Sequence, residues 1–271
     1  MKIYISIDIE GVAGVPSWMF GSRKNKDYEI GRELMAGELN AAVEGALEAG
    51  AEEIIVNDSH GDMTNLNPTK VHKAARLLQG EVKPWSMMEG MDGQYDAAAF
   101  IGYHAMAGTL FGSMCHTYCG AVTEAKLNGE ILGELELNGA FCGTYHTPLV
   151  FASGDEALAR EAHKYIPGIE TAAVKKSYGM RAALSLHPEK ARELIKEGMK
   201  KGIEKRDQIK PFLPDGPYTL EVKLREPDLA DNCSRIPGTT RTGPRVITFK
   251  NENYREIYRC FLTTMTLAAK T

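Results

Sequence analysis

Hydrophobic and polar positions alternate from the first residues of the chain. In Met1–Gly11, MKIYISIDIEG, Ile3, Ile5 and Ile7 alternate with Tyr4, Ser6 and Asp8, the period-2 pattern of a β-strand with one polar face. Residues 12–26 form a loop containing Gly, Pro and Ser. From about Asp27 to Ala49 the period becomes helical. Met35, Leu39, Ala42, Val43 and Ala46 make the apolar stripe, and Gly50 stands where a C-terminal cap belongs. Glu53–Val56 reads as a second strand. Strand, helix and strand in this order predict a right-handed βαβ unit and hence a parallel sheet.

The second strand runs into Asn57-Asp58-Ser59-His60-Gly61. A polar loop leads to a short helix expected near Thr69–Leu77, and residues 81–96 carry no regular pattern. Ala97–Ile101 is wholly apolar and reads as a buried strand, ending in Gly102-Tyr103-His104. A loop over 105–116 closes on Cys115-His116. Tyr118–Lys126 and Glu130–Leu132 predict a hairpin around Asn128-Gly129. A helix over 133–145, a strand over Leu149–Ala152, a helix over 155–165 and a strand over 170–174 follow. Beyond residue 186 the texture changes. Residues 187–210 are charged and helical, opened by His187-Pro188. The stripe is Ala191, Leu194, Ile195, Gly198, Met199, Gly202 and Ile203, and its two glycines leave room for another element to approach. The mild basic excess of this helix reads as a solvated face. Tyr218–Leu224 and Pro244–Lys250 predict strands on either side of a loop with Pro227, Pro237 and Gly238. The last helix buries Tyr254, Ile257, Tyr258, Phe261, Leu262 and Met265. The expected architecture is α/β: a three-layer α/β/α domain with a mostly parallel sheet over 1–185, and a smaller C-terminal α+β domain over 186–271.

With 271 residues and a net charge of −4, the chain has the size for a substantial core. It has no basic excess that would suit nucleic acid or an anionic membrane surface. No apolar run reaches the length of a membrane span. The first apolar run is broken by Asp8 and Glu10 and lacks a small-residue cleavage site, so no secretory signal is read and a cytoplasmic location is expected. The cysteines, at 115, 119, 142, 233 and 260, are odd in number and scattered, which suits reduced thiols. Cys115 and Cys119 do not have zinc-finger spacing.

The chemistry gathers at strand ends. Asp8 and Glu10 are spaced i, i+2 and point to one side. Two buried like charges repel, so a cation belongs between them: a divalent ion, or more simply a Lys or Arg. His60 and His104 end the next predicted strands. In open α/β sheets ligands bind beyond the carboxyl ends of the strands, so these residues meet if the strands are neighbours. Two carboxylates and two imidazoles suit zinc or a similar dication. Glu134, opening the helix after the hairpin, is a fifth candidate. Five ligands exceed the protein share of one catalytic zinc and point to two ions, with Asp8 as the bridging carboxylate. Each residue also has a plainer reading: a turn histidine, or a carboxylate favoured by a helix dipole. Cys115 beside His116 is a weak nucleophile–base pair, because adjacent side chains seldom face each other and no third group orients them. No Walker loop, G-x-G-x-x-G or G-x-S-x-G is present.

The motifs taken together resemble the M55 metallopeptidases, the D-aminopeptidase family of the DppA type. Ser6-x-Asp8-x-Glu10-Gly11 is similar to the family's S-x-D-x-E-G signature. The likeness extends over Asn57–His60, Val82-Lys83-Pro84, Met88-Glu89-Gly90, Gly102–Ala105, Gly133-Glu134-Leu135 with Asn138, and Thr171–Lys175. It is continuous to about residue 180, with a looser echo at Pro237-Gly238-Thr239 and in the last helix. The resemblance implies an aminopeptidase with two divalent ions, zinc first among them, held by Asp8, Glu10, His60, His104 and Glu134. It puts the family's catalytic histidine at His116, although the segment between His104 and His116 is one residue longer here than the family pattern. It also implies a homodecamer that encloses its active sites and admits short peptides. On this reading the ions activate a water and polarise the scissile carbonyl, and His116 handles the proton or steadies the oxyanion. Glu10 or Glu134 attracts the substrate ammonium. Two alternatives stay open: a two-metal hydrolase of phosphoesters or other amides, disfavoured by the lack of Lys and Arg around the motifs, and a non-catalytic cytosolic peptide-binding metalloprotein.

Overall fold

The computed structural model describes residues 1–269. Strand β1 (Lys2–Ile7) leads through a four-residue helix, α1 (Trp18–Gly21), to α2 (Tyr28–Glu48), then β2 (Glu53–Asp58), β3 (Ala75–Leu78), β4 (Ala97–Ile101) and the hairpin β5 (Val122–Leu127) and β6 (Glu130–Ile131). Next come α3 (Glu134–Gly143), β7 (Leu149–Asp155), α4 (Glu156–Tyr165), β8 (Glu170–Gly179), β9 (Ala182–Ser185) and α5 (Pro188–Glu204). The chain ends with β10 (Tyr218–Leu224), α6 (Pro227–Cys233), β11 (Thr240–Gly243), β12 (Val246–Asn251) and α7 (Tyr254–Ala269).

The fold is mixed α/β with two sheets. The first has the order β3-β2-β1-β4-β7-β8-β9 and is parallel except for the β8–β9 hairpin. From β1 the chain winds outward to β2 and β3, then returns to the other side of β1 for β4, β7 and β8. Right-handed crossovers in opposite directions put α2 on one face and α3 and α4 on the other, which makes three layers. The reversal leaves a crevice beyond the carboxyl ends of β1 and β4, where ligands bind in such sheets. Because β1 is central it is buried on both faces. Tyr4 and Ser6 are as inaccessible as the isoleucines, where alternation predicts a polar outer face. Their hydroxyls are satisfied inside: Tyr4 donates to the Glu89 carbonyl at 2.8 Å, and Ser6 meets the Tyr103 hydroxyl at 2.7 Å.

The second sheet, β11-β12-β10-β5-β6, is antiparallel and is covered by α6 and α7. The Asn128-Gly129 hairpin joins it through β5 against β10. Tyr254 of α7 donates to the Leu137 carbonyl of α3 at 2.8 Å, tying the two sheets into one continuous core.

Packing departs from the sequence reading in three places. A cut at residue 186 would give α5 to the second sheet, yet α5 lies against α2, β7 and β8 of the first. The second sheet in turn borrows β5 and β6 from within 1–185. The charged texture of α5 reports its solvent face and says nothing of which sheet it covers. Thr69–Leu77, expected as a helix, is a run of turns entering strand β3, which pairs with Ile54–Asn57. The Asn67 side chain accepts the Thr69 amide at 3.0 Å and opens those turns. The loop expected after β10 contains α6, with Pro227 in its first turn. Among the described residues no helix is long and apolar enough to cross a membrane, and the five cysteines are free.

Candidate metal centre

The sheet brings together every residue the sequence singled out. β1 stops at Ile7, so Asp8 and Glu10 lie on a turn beyond it. They converge through that turn and not through strand pleating. The turn presses on the one after β4: Gly11 donates to the Gly102 carbonyl at 2.7 Å. A Cβ on Gly11 would stand 1.8 Å from the Tyr103 carbonyl oxygen, and one on Gly102, at φ +66°, would stand 2.3 Å from that of Asp8. Glycine at both positions is what lets the two turns close. His60 follows β2, His104 follows β4, and Glu134 is the first residue of α3. His116 comes from the long loop after β4.

Asp8, Glu10, His104 and Glu134 are buried. His60 Nδ1 is 3.1 Å from Asp8 Oδ1 and 2.9 Å from Glu10 Oε2. His104 Nε2 is 3.5 Å from Asp8 Oδ2 and 3.3 Å from Glu134 Oε1. His116 Nε2 is 3.9 Å from Glu10 Oε1 and 3.8 Å from Glu134 Oε1. The His104 and His116 rings stack at 4.1 Å, and Trp18 packs its edge on His116 at 5.2 Å. Asp8, Glu10 and His104 form one group whose ligand atoms lie within 4.8 Å of one another, and His104, His116 and Glu134 form another.

In each imidazole the nitrogen away from the cluster meets a main-chain carbonyl. These partners are Gly21 for His60 Nε2 (2.5 Å), Ala105 for His104 Nδ1 (3.0 Å) and Met114 for His116 Nδ1 (2.8 Å). Those carbonyls accept a ring N–H, which aims the other nitrogen of each ring at the carboxylates. Glu10 Oε2 and His104 Nε2 are buried without a hydrogen-bond partner.

The local field is strongly negative. Burial, then the charge of Glu10, raises the Asp8 carboxyl well above its ordinary range. Burial also works against an ionised Glu10, yet the charge of His60 wins and holds it well below. Burial disfavours protonated imidazoles, but Glu134, Glu10 and Asp8 push His104 up to about 10, and Glu10 and Asp8 lift His60 well above 6.5. His116 goes the other way, lowered by burial and by the charge of His104.

Sequence reasoning assigned no role to the residues that brace this cluster. Lys175, buried on β8, donates to the carbonyls of Glu10, Val12 and Val15 and pins the turn carrying the carboxylates. The Tyr118 amide donates to Glu134 Oε1 at 2.6 Å, and its hydroxyl enters a network with Asn138 and Tyr258. Asp155 takes the Ser113 amide at 2.6 Å and steadies the His116 loop. Lys175 directly follows the apolar run Ala172–Val174, and that was the one available signal. Cys115 turns its thiol to the Thr109 carbonyl, away from any nucleophilic role with His116.

Comparison with known proteins identifies the family. The family model described as Peptidase_M55, D-aminopeptidase, matches residues 1–263. The chain is 36% identical over 272 residues to the D-aminopeptidase of Bacillus subtilis (strain 168), covering 100% of this chain and 99% of that protein. It superposes with a TM-score of 0.97 on the Zn-dependent D-aminopeptidase DppA from Bacillus subtilis, a self-compartmentalizing protease, at 36% identity and over 100% of this chain and 99% of that one. The chain belongs to the M55 peptidases, the D-aminopeptidase family.

Proposed function

We propose that this chain is a zinc-dependent aminopeptidase that releases N-terminal residues, D-residues among them, from short peptides. In this reading Asp8, Glu10, His60, His104 and Glu134 hold two divalent ions, with Asp8 between them, and His116 works on the substrate. One observation carries it. Carboxylate oxygens and imidazole nitrogens face one another at 2.9–3.9 Å in a buried, strongly negative site, and Glu10 Oε2 and His104 Nε2 are buried without a hydrogen-bond partner. Cations belong between them, and the mixed imidazole–carboxylate set with few sulfur ligands nearby fits catalytic zinc better than structural zinc.

Bound dications would supply Lewis acidity, lowering the pKa of a water and polarising a carbonyl. The chain's own residues do the rest. The buried carboxylates attract the substrate ammonium. Trp18 and the Met114 carbonyl fix the His116 ring with Nε2 facing the cavity. Its lowered pKa keeps that ring neutral and able to accept a proton at Nε2. The placement of His116 beside His104 and Glu134 favours one variation, in which His116 is itself a ligand of the second ion.

The resemblance to a self-compartmentalizing protease supports assembly as a homodecamer that admits only short peptides. Five free cysteines suit a reducing cytoplasm. The test is metal stoichiometry and hydrolysis of matched D- and L-alanyl dipeptides on one sample. We expect two zinc ions per chain and turnover of the D-series. Stoichiometric metal with no cleavage of any peptide would rule the reading out.

A further inference from the structure

The cluster opens into a cavity of about 660 Å3. Its deep end is acidic, with Asp8, Glu10 and Glu134 buried, and Trp18, Met63 and Met87 give it apolar walls. Arg181 is the one lysine or arginine among its lining residues. Exposed, it stands at the mouth. It makes no hydrogen bond or ion pair with any described residue, not even with Glu81, the other charged group at the rim.

The backbone beneath Arg181 is well held. It lies on the two-residue turn between β8 and β9. The Met180 carbonyl in that turn accepts the Met114 amide at 2.8 Å, which couples the turn to the His116 loop. The Ser177 hydroxyl donates to the Gly179 carbonyl at 2.7 Å, and Lys175 ties the same strand to the carboxylate turn. A fixed backbone thus presents an unpaired guanidinium to a cavity that is negative at its other end.

An aminopeptidase substrate is complementary to that polarity, with an ammonium at one end and a carboxylate at the other. A dipeptide spans roughly 7 Å, so both of its charges remain inside one cavity, whereas a long peptide carries its carboxylate away. We propose that Arg181 is the subsite for the free α-carboxylate of a short peptide, and that it selects for length by demanding a nearby C-terminus. The proposal deepens the aminopeptidase reading and rests on it for the substrate class. Guanidinium matches carboxylate in a bidentate fork that an ammonium cannot reproduce.

The experiment compares D-alanyl-D-alanine with its C-terminal amide. Replacing Arg181 by Gln should cut the ratio of kcat/KM for acid over amide about tenfold, chiefly through KM, the loss expected of one charge-assisted pair. Arg181→Lys should restore part of it. Oligomer size is matched among the proteins by light scattering. An unchanged ratio in Arg181→Gln overturns the proposal. Calorimetric binding of a reduced-bond isostere, as acid and as amide, reads the subsite without turnover. An Arg181-dependent preference for the acid with no peptide cleaved would sink the aminopeptidase reading and leave the subsite standing. Cleavage with no such preference would do the reverse.

Discussion

Most side chains of this cluster are also held by the main chain. The three histidines give one nitrogen to a carbonyl, Asp8 Oδ1 takes the Ile9 amide at 2.8 Å, and Glu134 Oε1 takes the Tyr118 amide. Asp8→Ala and His104→Ala should therefore lose bound metal and turnover together. His116→Ala should keep its metal and lose turnover by about a hundredfold or more. Metal analysis of purified variants decides this, and a halved metal content in His116→Ala would make it a ligand. Glu38 offers a test away from the centre. One of its oxygens accepts the Ala13 amide at 2.8 Å and the other is buried without a partner. Burial lifts its pKa from 4.5 to about 7, with Lys175 and Arg192 opposing. A raised acid pKa means the fold prefers the neutral form. No cost exists below pH 4.5, and the full cost, about 3 kcal/mol, is present above pH 7. Glu38→Gln should remove that loss, so its advantage in denaturant unfolding should grow between pH 5 and pH 8. Equal pH profiles for the two proteins would reject this account. The side chains that cluster here were legible in the sequence because acidic and imidazole side chains at strand ends stand out against apolar runs. Glu38 and Lys175 were not, since a single charge on a helix or strand normally faces water, and burial is a property of the partner element.

At the scale of elements, α5 is placed by what it lacks. A Cβ on Gly198 would come 2.5 Å from the Phe151 ring, and one on Gly202 would come 2.5 Å from the Val150 carbonyl oxygen. The helix thus rests directly on the backbone of β7. Sequence gave both glycines and the stripe they belong to, and the close approach they foretold is real; Leu194, expected in that stripe, is 43% exposed. The partner strand was not legible, because period alone does not say which surface a stripe meets. Gly202→Ala gains up to about 1 kcal/mol in helix propensity but must displace main chain, and overpacking costs about 1–3 kcal/mol. A lower thermal midpoint with unchanged metal content is expected. A higher midpoint would mean that α5 does not sit this close.

For the molecule as a whole, a parallel sheet followed from the βαβ pattern, and the condition that the strands ending near Asp8, His60 and His104 be neighbours is met by the order β2-β1-β4. The borrowing of β5 and β6 by the second sheet did not follow, since pairing over that distance leaves no local trace. The loop that leaves β4 also carries a surface signal. Leu110 and Phe111 on it are 74% and 56% exposed, and Phe111 holds φ +55°, a conformation that costs a bulky residue about 1–3 kcal/mol unless its surroundings enforce it. In the proposed assembly a neighbouring copy would cover this ring, and the same loop carries His116. Phe111→Asp puts a charge where an apolar contact is needed, without touching the carboxylates or imidazoles. The expected result is an assembly of lower mass by light scattering, together with weakened peptide turnover as the His116 loop loses its support, while metal content holds. An assembly of unchanged mass would show that the copies meet through a different face.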